Sequence, residues 1–219
     1  MPRLLFEKTG NAIWISHLDL MRLFQRAFKR AGLALTHTQG FNPRPSVSIA
    51  LPLSVGVESH CELLDFDLDG DPISCDEIRD RLNGALVDGV RVLEVYEEGV
   101  KIKHLALLDC TVSLEYDRCV PAGAVQSIQS LFQRPELTVM KKSKNGPVEQ
   151  DIIPMIREVT VAQTSDRCVT LRALVCCQNP SLNPMQLSAA ISKYLPELSP
   201  DHTVSCRIGL YDAQNQPFR

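Results

Sequence analysis

The stretch Ser16-His17-Leu18-Asp19-Leu20-Met21-Arg22-Leu23-Phe24-Gln25-Arg26-Ala27-Phe28-Lys29-Arg30-Ala31-Gly32 decides how the first half of the chain folds. At about 100° per residue, with Arg22 as zero, Arg26 falls near ~40°, Arg30 near ~80° and Lys29 near ~−20°. Leu20, Met21, Leu23, Phe24, Ala27, Phe28 and Ala31 occupy the opposite arc, the pattern of a helix that packs through one face. Ser16 with Asp19 three residues on reads as a capping box, and Ile15 with Leu20 has the spacing of a hydrophobic staple. Gly32 supplies the stop. His17 falls at the first helical position and projects toward the buried arc, which reads as a partly buried, hydrogen-bonded histidine.

Before this helix, residues 2–8 read as a strand. After it, Leu33 to Thr38 reads as the second strand or part of it, Ser46 to Leu53 alternates, and Glu58 to Leu68 reads as a further strand. Asp76 to Leu86 is helical with Ser74 or Asp76 as cap, and Val90 to Glu97 closes with a strand. This β-α-β-β-α-β order is that of a ferredoxin-like sandwich.

The remainder repeats the order: a strand at Leu107 to Tyr116, a helix at Ala122 to Gln133, and a hairpin start at Leu137 to Lys142 with Asn145-Gly146 as its turn. A strand pair follows at Glu158 to Thr164 and Cys168 to Cys177, then a helix opened by Asn183-Pro184 and ending at Leu195, and a last strand at Thr203 to Tyr211. The fold class expected is α+β, two tandem ferredoxin-like sandwiches, with domains at 1–104 and 105–219. One mixed α+β domain with a coincidental element order is the competing reading.

Composition bounds the rest. The 219 residues are 44% hydrophobic and 22% charged but only 5% aromatic, so the core must be aliphatic. The longest uncharged stretch, Ala173 to Ser192, contains two prolines and several polar residues, which is no membrane span. The first 16 residues carry Arg3, Glu7 and Lys8 and lack a signal-peptide core, so a cytoplasmic location is expected. Eight cysteines without CxxC or CxxxCxxC spacing read as reduced and mostly buried, with no metal or cluster site and no cofactor.

The net charge of −3 conceals a segregation. Residues 1–50 hold seven cations (Arg3, Lys8, Arg22, Arg26, Lys29, Arg30, Arg44) against Glu7 and Asp19, whereas residues 51–100 hold three against 13 acids. In that acidic region Asp65, Asp67, Asp69 and Asp71 alternate, and a solvated turn at Asp69-Gly70-Asp71-Pro72 is preferred over an ion site. Four cations on one helical face repel at i,i+4 spacing, so either a polyanion or solvent is their counterpart. The segment Thr38-Gln39-Gly40-Phe41-Asn42-Pro43-Arg44-Pro45 places an aromatic and a cation in a proline-stiffened loop. Phe41 then either stacks on a flat ligand or anchors the loop in the core, and Arg44 is suited to phosphate. Lys141, Lys142 and Lys144 form a second basic cluster, either a contact surface or a solubilising hairpin edge.

These residues carry a resemblance. Ser16-His17-Leu18-Asp19 with Arg22, Arg26-Ala27 and Arg30-Ala31-Gly32, then Gln39-Gly40-Phe41-Asn42-Pro43, then Leu51-Pro52-Leu53 with Gly56, Ser59 and Glu62, resemble the radical SAM-linked proteins, a bacterial domain family of uncharacterised function. The match covers about residues 3 to 68 and is loose beyond. Where that pattern often carries a histidine after Asn-Pro, this chain has Arg44, which argues against metal ligation there. Members are separate chains or are fused to a B12-binding radical SAM protein, often encoded near ribonuclease and ribosomal-protein genes. The resemblance therefore implies a B12-binding radical SAM partner and no assigned catalytic residue. The expected function is a non-catalytic accessory module that binds structured RNA, tRNA or rRNA, and presents it to that partner for modification, through Arg22, Arg26, Lys29, Arg30, Phe41, Arg44, Lys141, Lys142 and Lys144. Two alternatives stay open: an RNA-processing endoribonuclease with His17 as general base, and a protein-docking module that binds no RNA.

Overall fold

The computed structural model describes residues 1–143 and 146–219. The chain divides into two compact units, Met1–His104 together with Phe218–Arg219, and Leu105–Pro217.

The first unit runs β1 (Arg3–Lys8), α1 (His17–Arg30), β2 (Val47–Ile49), β3 (Glu58–Phe66), α2 (Cys75–Asn83) and β4 (Val90–Tyr96). Its sheet has the order β4-β1-β3-β2 with every pairing antiparallel, which is the ferredoxin-like arrangement. The helix begins where the capping box places it: Ser16 Oγ accepts from the Asp19 amide at 3.2 Å and donates to Asp19 Oδ2 at 2.7 Å. It ends in a Schellman turn, with Leu33 N–H donating to Phe28 C=O at 2.9 Å, Gly32 N–H donating to Lys29 C=O at 3.2 Å, and Gly32 at φ +69°. Although aromatics are scarce, four phenylalanines pin α1 to the sheet, Phe24 edge-on to Phe6 at 4.7 Å and Phe28 tilted against Phe66 at 5.1 Å between centroids. Leu4, Leu20, Ala27, Leu64, Ile78, Leu82, Val92 and Val95 complete the core.

Two strand expectations are corrected. The second strand is Val47–Ile49 alone, not Ser46 to Leu53. Leu33 to Thr38 is not a strand either, since Leu35 and His37 make only single bridges, to Leu68 and Pro45. Pro43, Pro45 and Pro52 offer no N–H, so a ladder cannot propagate through either end of this region.

The second unit runs β5 (Leu105–Glu115), α3 (Ala124–Leu131), β6 (Thr138–Ser143), β7 (Gly146–Asp151), β8 (Ile156–Ser165), β9 (Cys168–Cys176), α4 (Met185–Tyr194) and β10 (His202–Asp212). Its sheet order, β10-β5-β9-β8, all antiparallel, repeats the ferredoxin-like order, with the β6–β7 hairpin inserted before the second strand. That hairpin is held by α4: Tyr194 Oη accepts from the Thr138 amide at 3.2 Å and Lys193 Nζ donates to Thr138 C=O at 2.8 Å. The cap of α4 is shared, Asn183 Oδ1 accepting from the Met185 amide and the Gln186 side chain accepting from the Asn183 amide, each at 3.0 Å. Val112, Leu114, Ile128, Leu131, Val169, Leu171, Leu187 and Ile191 form the core between this sheet and its helices.

None of the eight cysteines is joined in a disulfide; Cys61, Cys110 and Cys176 are buried and Cys119 is exposed. The aspartates of the alternating run go to separate partners: Asp65 to Arg3, and Asp67 to the Thr36 hydroxyl at 3.0 Å. Among the described residues, no helix is long and apolar enough to cross a membrane.

Candidate nucleic-acid interface

The amphipathic period of α1 fixes what it shows. Packing through Leu20, Phe24, Ala27 and Phe28 leaves Arg22, Arg26, Lys29 and Arg30 exposed on the other side. The four are not equivalent. Arg22 Nη1 donates to Asp19 Oδ1 at 3.0 Å. The Ser16 hydroxyl, and after it Arg22, hold the Asp19 carboxyl below its ordinary range. Arg30 Nη2 donates to the Ala85 carbonyl at 2.5 Å, tying α1 to the turn after α2. Arg26 and Lys29 make no such bond among the described residues.

The loop after α1 is closed at its neck. Thr38 N–H donates to Arg44 C=O at 2.9 Å and the Arg44 amide donates to Thr38 Oγ1 at 3.0 Å. Gly40, at φ +139°, makes the bend that a β-carbon would strain. Phe41 stands at the tip, 106% exposed, so it is not a core anchor. Arg44 is exposed beside it.

Between α1 and this neck lies a cleft of about 500 Å³, lined by Gln25, Lys29, Leu33, Leu35, His37 and Pro45. Leu33, Leu35 and Pro45 make its lining largely apolar, with Lys29 and His37 beside them. The helix face and the loop, predicted separately, thus meet at one depression.

The sequence reading missed two exposed apolar side chains of this unit. Trp14, the only tryptophan, is 67% exposed, with its ring against Gly56, where an added β-carbon would sit 3.5 Å away. Its signal was its position between Ile13 and Ile15, both turned partly inward. Leu18, also 67% exposed, lies one turn before Arg22 on the cationic face.

Other predicted residues are placed differently. His17 is half-buried and its Nδ1 is enclosed without a hydrogen-bond partner, contrary to the hydrogen-bonded role expected of it. The turn from Ser16 into the helix directs the ring inward while the nearby hydroxyl is consumed by Asp19. A general base needs an oriented, accessible nitrogen, and Nδ1 is enclosed. In the second unit Lys141 is half-buried and Nζ donates to the Ser181 carbonyl at 3.3 Å, so it is a tether within that unit rather than an open cation. Lys144 and the Lys142 side chain lie outside the described residues.

Ser59 and Glu62 are both buried, and the Ser59 hydroxyl donates to Glu62 Oε1 at 2.7 Å. They sit on β3 beside Lys8, which is 0% exposed and donates from Nζ to the Ile13 carbonyl at 3.0 Å. Lys8 thereby fixes the short 3-10 turn Gly10–Trp14 that presents Trp14.

No curated protein matches the sequence. Among solved structures, a chain of a Cbf5-Nop10-Gar1 complex is similar over 94% of this chain at 10% identity, with a TM-score of 0.53. This chain spans about half of it, 47%. A likeness at that identity shows the α+β fold alone. An unknown protein from Galdieria sulphuraria aligns over 94% of this chain and 96% of its own at 10% identity, with a TM-score of 0.26. Residues 2–184 match the model described as an uncharacterized protein conserved in bacteria, DUF2344, and the chain belongs to that family.

Proposed function

We propose that the chain is a non-catalytic module that binds structured RNA through α1 and the loop at Thr38–Arg44. The supporting observation is that Lys29, on the same exposed cationic face of α1 as Arg22 and Arg26, lines a cleft together with His37 and Pro45, which flank the loop carrying the fully exposed Phe41. Cations contact phosphates and position the nucleic acid; an unstacked base lies on the aromatic or in the cleft. Arg44 extends the phosphate track along the loop. The resemblance to radical SAM-linked proteins supplies the second half of the proposal: the bound RNA is presented to a B12-binding radical SAM enzyme, which performs the chemistry.

The test is fluorescence anisotropy of labelled tRNA and ribosomal RNA fragments with the purified chain across a salt series. Salt-sensitive binding at micromolar concentration or tighter, lost on Arg22→Glu/Arg26→Glu and on Phe41→Ala, is expected. Absence of binding at low salt rejects the RNA reading.

Leu18 and Trp14 favour a second reading, because an exposed aliphatic on a cationic face suits a protein partner better than RNA. Co-purification of the radical enzyme that depends on Trp14 and Leu18 and survives ribonuclease treatment would support it.

A further inference from the structure

The second unit carries a separate site on the face of its sheet away from α3 and α4. Along β5, Cys110, Val112 and Leu114 are buried in the core, so Asp109 points to the other side. Cross-strand pairing puts Glu158, Leu174, Asp109 and Gly209 in one row across β8, β9, β5 and β10. Thr160 faces Arg172 in the next row. Tyr211 lies beside Gly209, where an added β-carbon would come within 3.0 Å of the ring. These side chains, with Asn215 from the turn after β10, enclose a cleft of about 340 Å³.

Its central ion pair is held by two bonds. The Asp109 side chain is 8% exposed, and both its oxygens accept from Arg172, from Nε at 3.2 Å and Nη2 at 2.8 Å. That fork uses one edge of a planar guanidinium and leaves the Nη1 edge, already oriented, for a second acceptor. Asp109 first, and then Tyr211 and Glu158, hold Arg172 more firmly protonated than usual.

Asp109 neutralises Arg172, and Glu158 adds an exposed carboxylate to the same cleft. A simple anion would find the Arg172 edge but also the surplus negative charge of Glu158. A simple cation would find Glu158 but also the guanidinium. A ligand bearing both signs a few atoms apart satisfies each group, and the half-buried Leu174 between them offers an apolar floor for a side chain. The volume is at the small end of ligand pockets.

We propose that this cleft binds a small zwitterion of the α-amino-acid class, its carboxylate on the Nη1 edge of Arg172 and its ammonium on Glu158. Tyr211, Thr160 and Asn215 line the remainder and select the side chain. The site uses none of the α1 residues, so it stands or falls apart from RNA binding.

The experiment is calorimetric titration of the full chain with the twenty free amino acids, first pooled and then singly, beside acetate, ethylamine and nucleoside 5′-monophosphates. Saturable binding of at least one amino acid, with neither acetate nor ethylamine binding comparably, is expected. Glu158→Gln, on an exposed residue, should weaken that binding at least tenfold while leaving the melting temperature of the free protein unchanged. Arg172→Lys, which keeps the charge but not the fork, should weaken it as much. The proposal is overturned if no amino acid binds, if binding is indifferent to both substitutions, or if a nucleotide alone occupies the site.

Discussion

Arg3 and Asp65 stand directly opposite each other on β1 and β3, and their side chains form a two-bond fork, Nε to Oδ1 at 2.6 Å and Nη2 to Oδ2 at 3.1 Å. The remaining nitrogen of Arg3 donates to the carbonyls of Val100 at 2.7 Å and Arg219 at 3.2 Å, and the Phe218 ring lies 5.4 Å from the guanidinium carbon. One side chain, 2% exposed, thus ties two strands to the segment after β4 and to residues 218–219.

Removing one partner of such a pair leaves the other carrying an uncompensated charge, which costs about 3 kcal/mol. Arg3→Ala should lower stability by that order, and Arg3→Lys should recover only part of it because an ammonium cannot make the fork. Gly99→Ala should imitate the loss, since its β-carbon would come 2.5 Å from the Arg3 guanidinium carbon, whose bonds forbid it to swing away. Urea denaturation of the three variants measures this; equal stability of Gly99→Ala and wild type would refute the crowding argument.

A contrast between two glycines follows from the same reasoning. Gly89, at φ +82°, would place a β-carbon 2.4 Å from the Thr9 carbonyl oxygen and 2.9 Å from the Ala12 methyl carbon. Gly123, at φ +76°, would meet nothing within 4 Å. Gly123→Ala should cost about 1 kcal/mol for backbone strain alone, whereas Gly89→Ala should cost clearly more, because the Thr9 carbonyl is held by the Ala12 amide and the Thr9 amide itself donates to Gly89 C=O. Thermal melting of the pair decides it.

The cations of α1 separate by what each holds. Arg26→Glu should leave folding intact while weakening RNA binding and reducing the slope of log K against log salt by about 0.7–0.9. Arg30→Glu should weaken binding too, but with a measurable loss of stability, since it discards the bond to the Ala85 carbonyl. Phe41→Ala, at a fully exposed position, should reduce affinity with no change in melting temperature. Parallel melting and anisotropy curves check all three.

Thiol ionisation sets a pH dependence. Burial, and secondarily the Asp109 charge, pushes the Cys110 thiol up to about 12 from a reference of 9.0. Between those values the unfolded chain has released a proton that the folded chain retains, so stability falls as pH rises from about 9 toward about 12. Cys177, pushed up to about 11 chiefly by burial, acts in the same direction. Denaturation midpoints at pH 8 and pH 10.5 should show the decline, and Cys110→Ala should shallow it. In native protein a thiol reagent should modify the exposed Cys119 first and reach Cys110 only on unfolding.

Much of the architecture was legible because it rests on local rules. The apolar arc of α1, its Ser16–Asp19 box and its Gly32 stop are contained within one helix, and the alternation of β5 and β9 declares which residues face inward. The second strand was misjudged because Leu33 to Thr38 and Val47–Ile49 have similar alternation. Only the pairing of Val47 with Phe66 chose between them. Trp14 and Leu18 escaped notice because hydrophobicity predicts burial, and exposure of an apolar side chain is a property of what the rest of the chain fails to cover.

What the sequence determined by itself is periodicity: two β-α-β-β-α-β orders, a cationic stripe opposite an apolar one, and a stiff loop with an aromatic at its tip. These follow from side-chain direction and backbone allowance within a few residues. What only the tertiary structure decided is company. Lys29 meets His37 and Pro45 across a cleft, Arg30 is drawn to Ala85, and Asp109 finds Arg172, 63 residues away, on the neighbouring strand. Such meetings depend on strand register and on the closure of the core, and no local pattern encodes them.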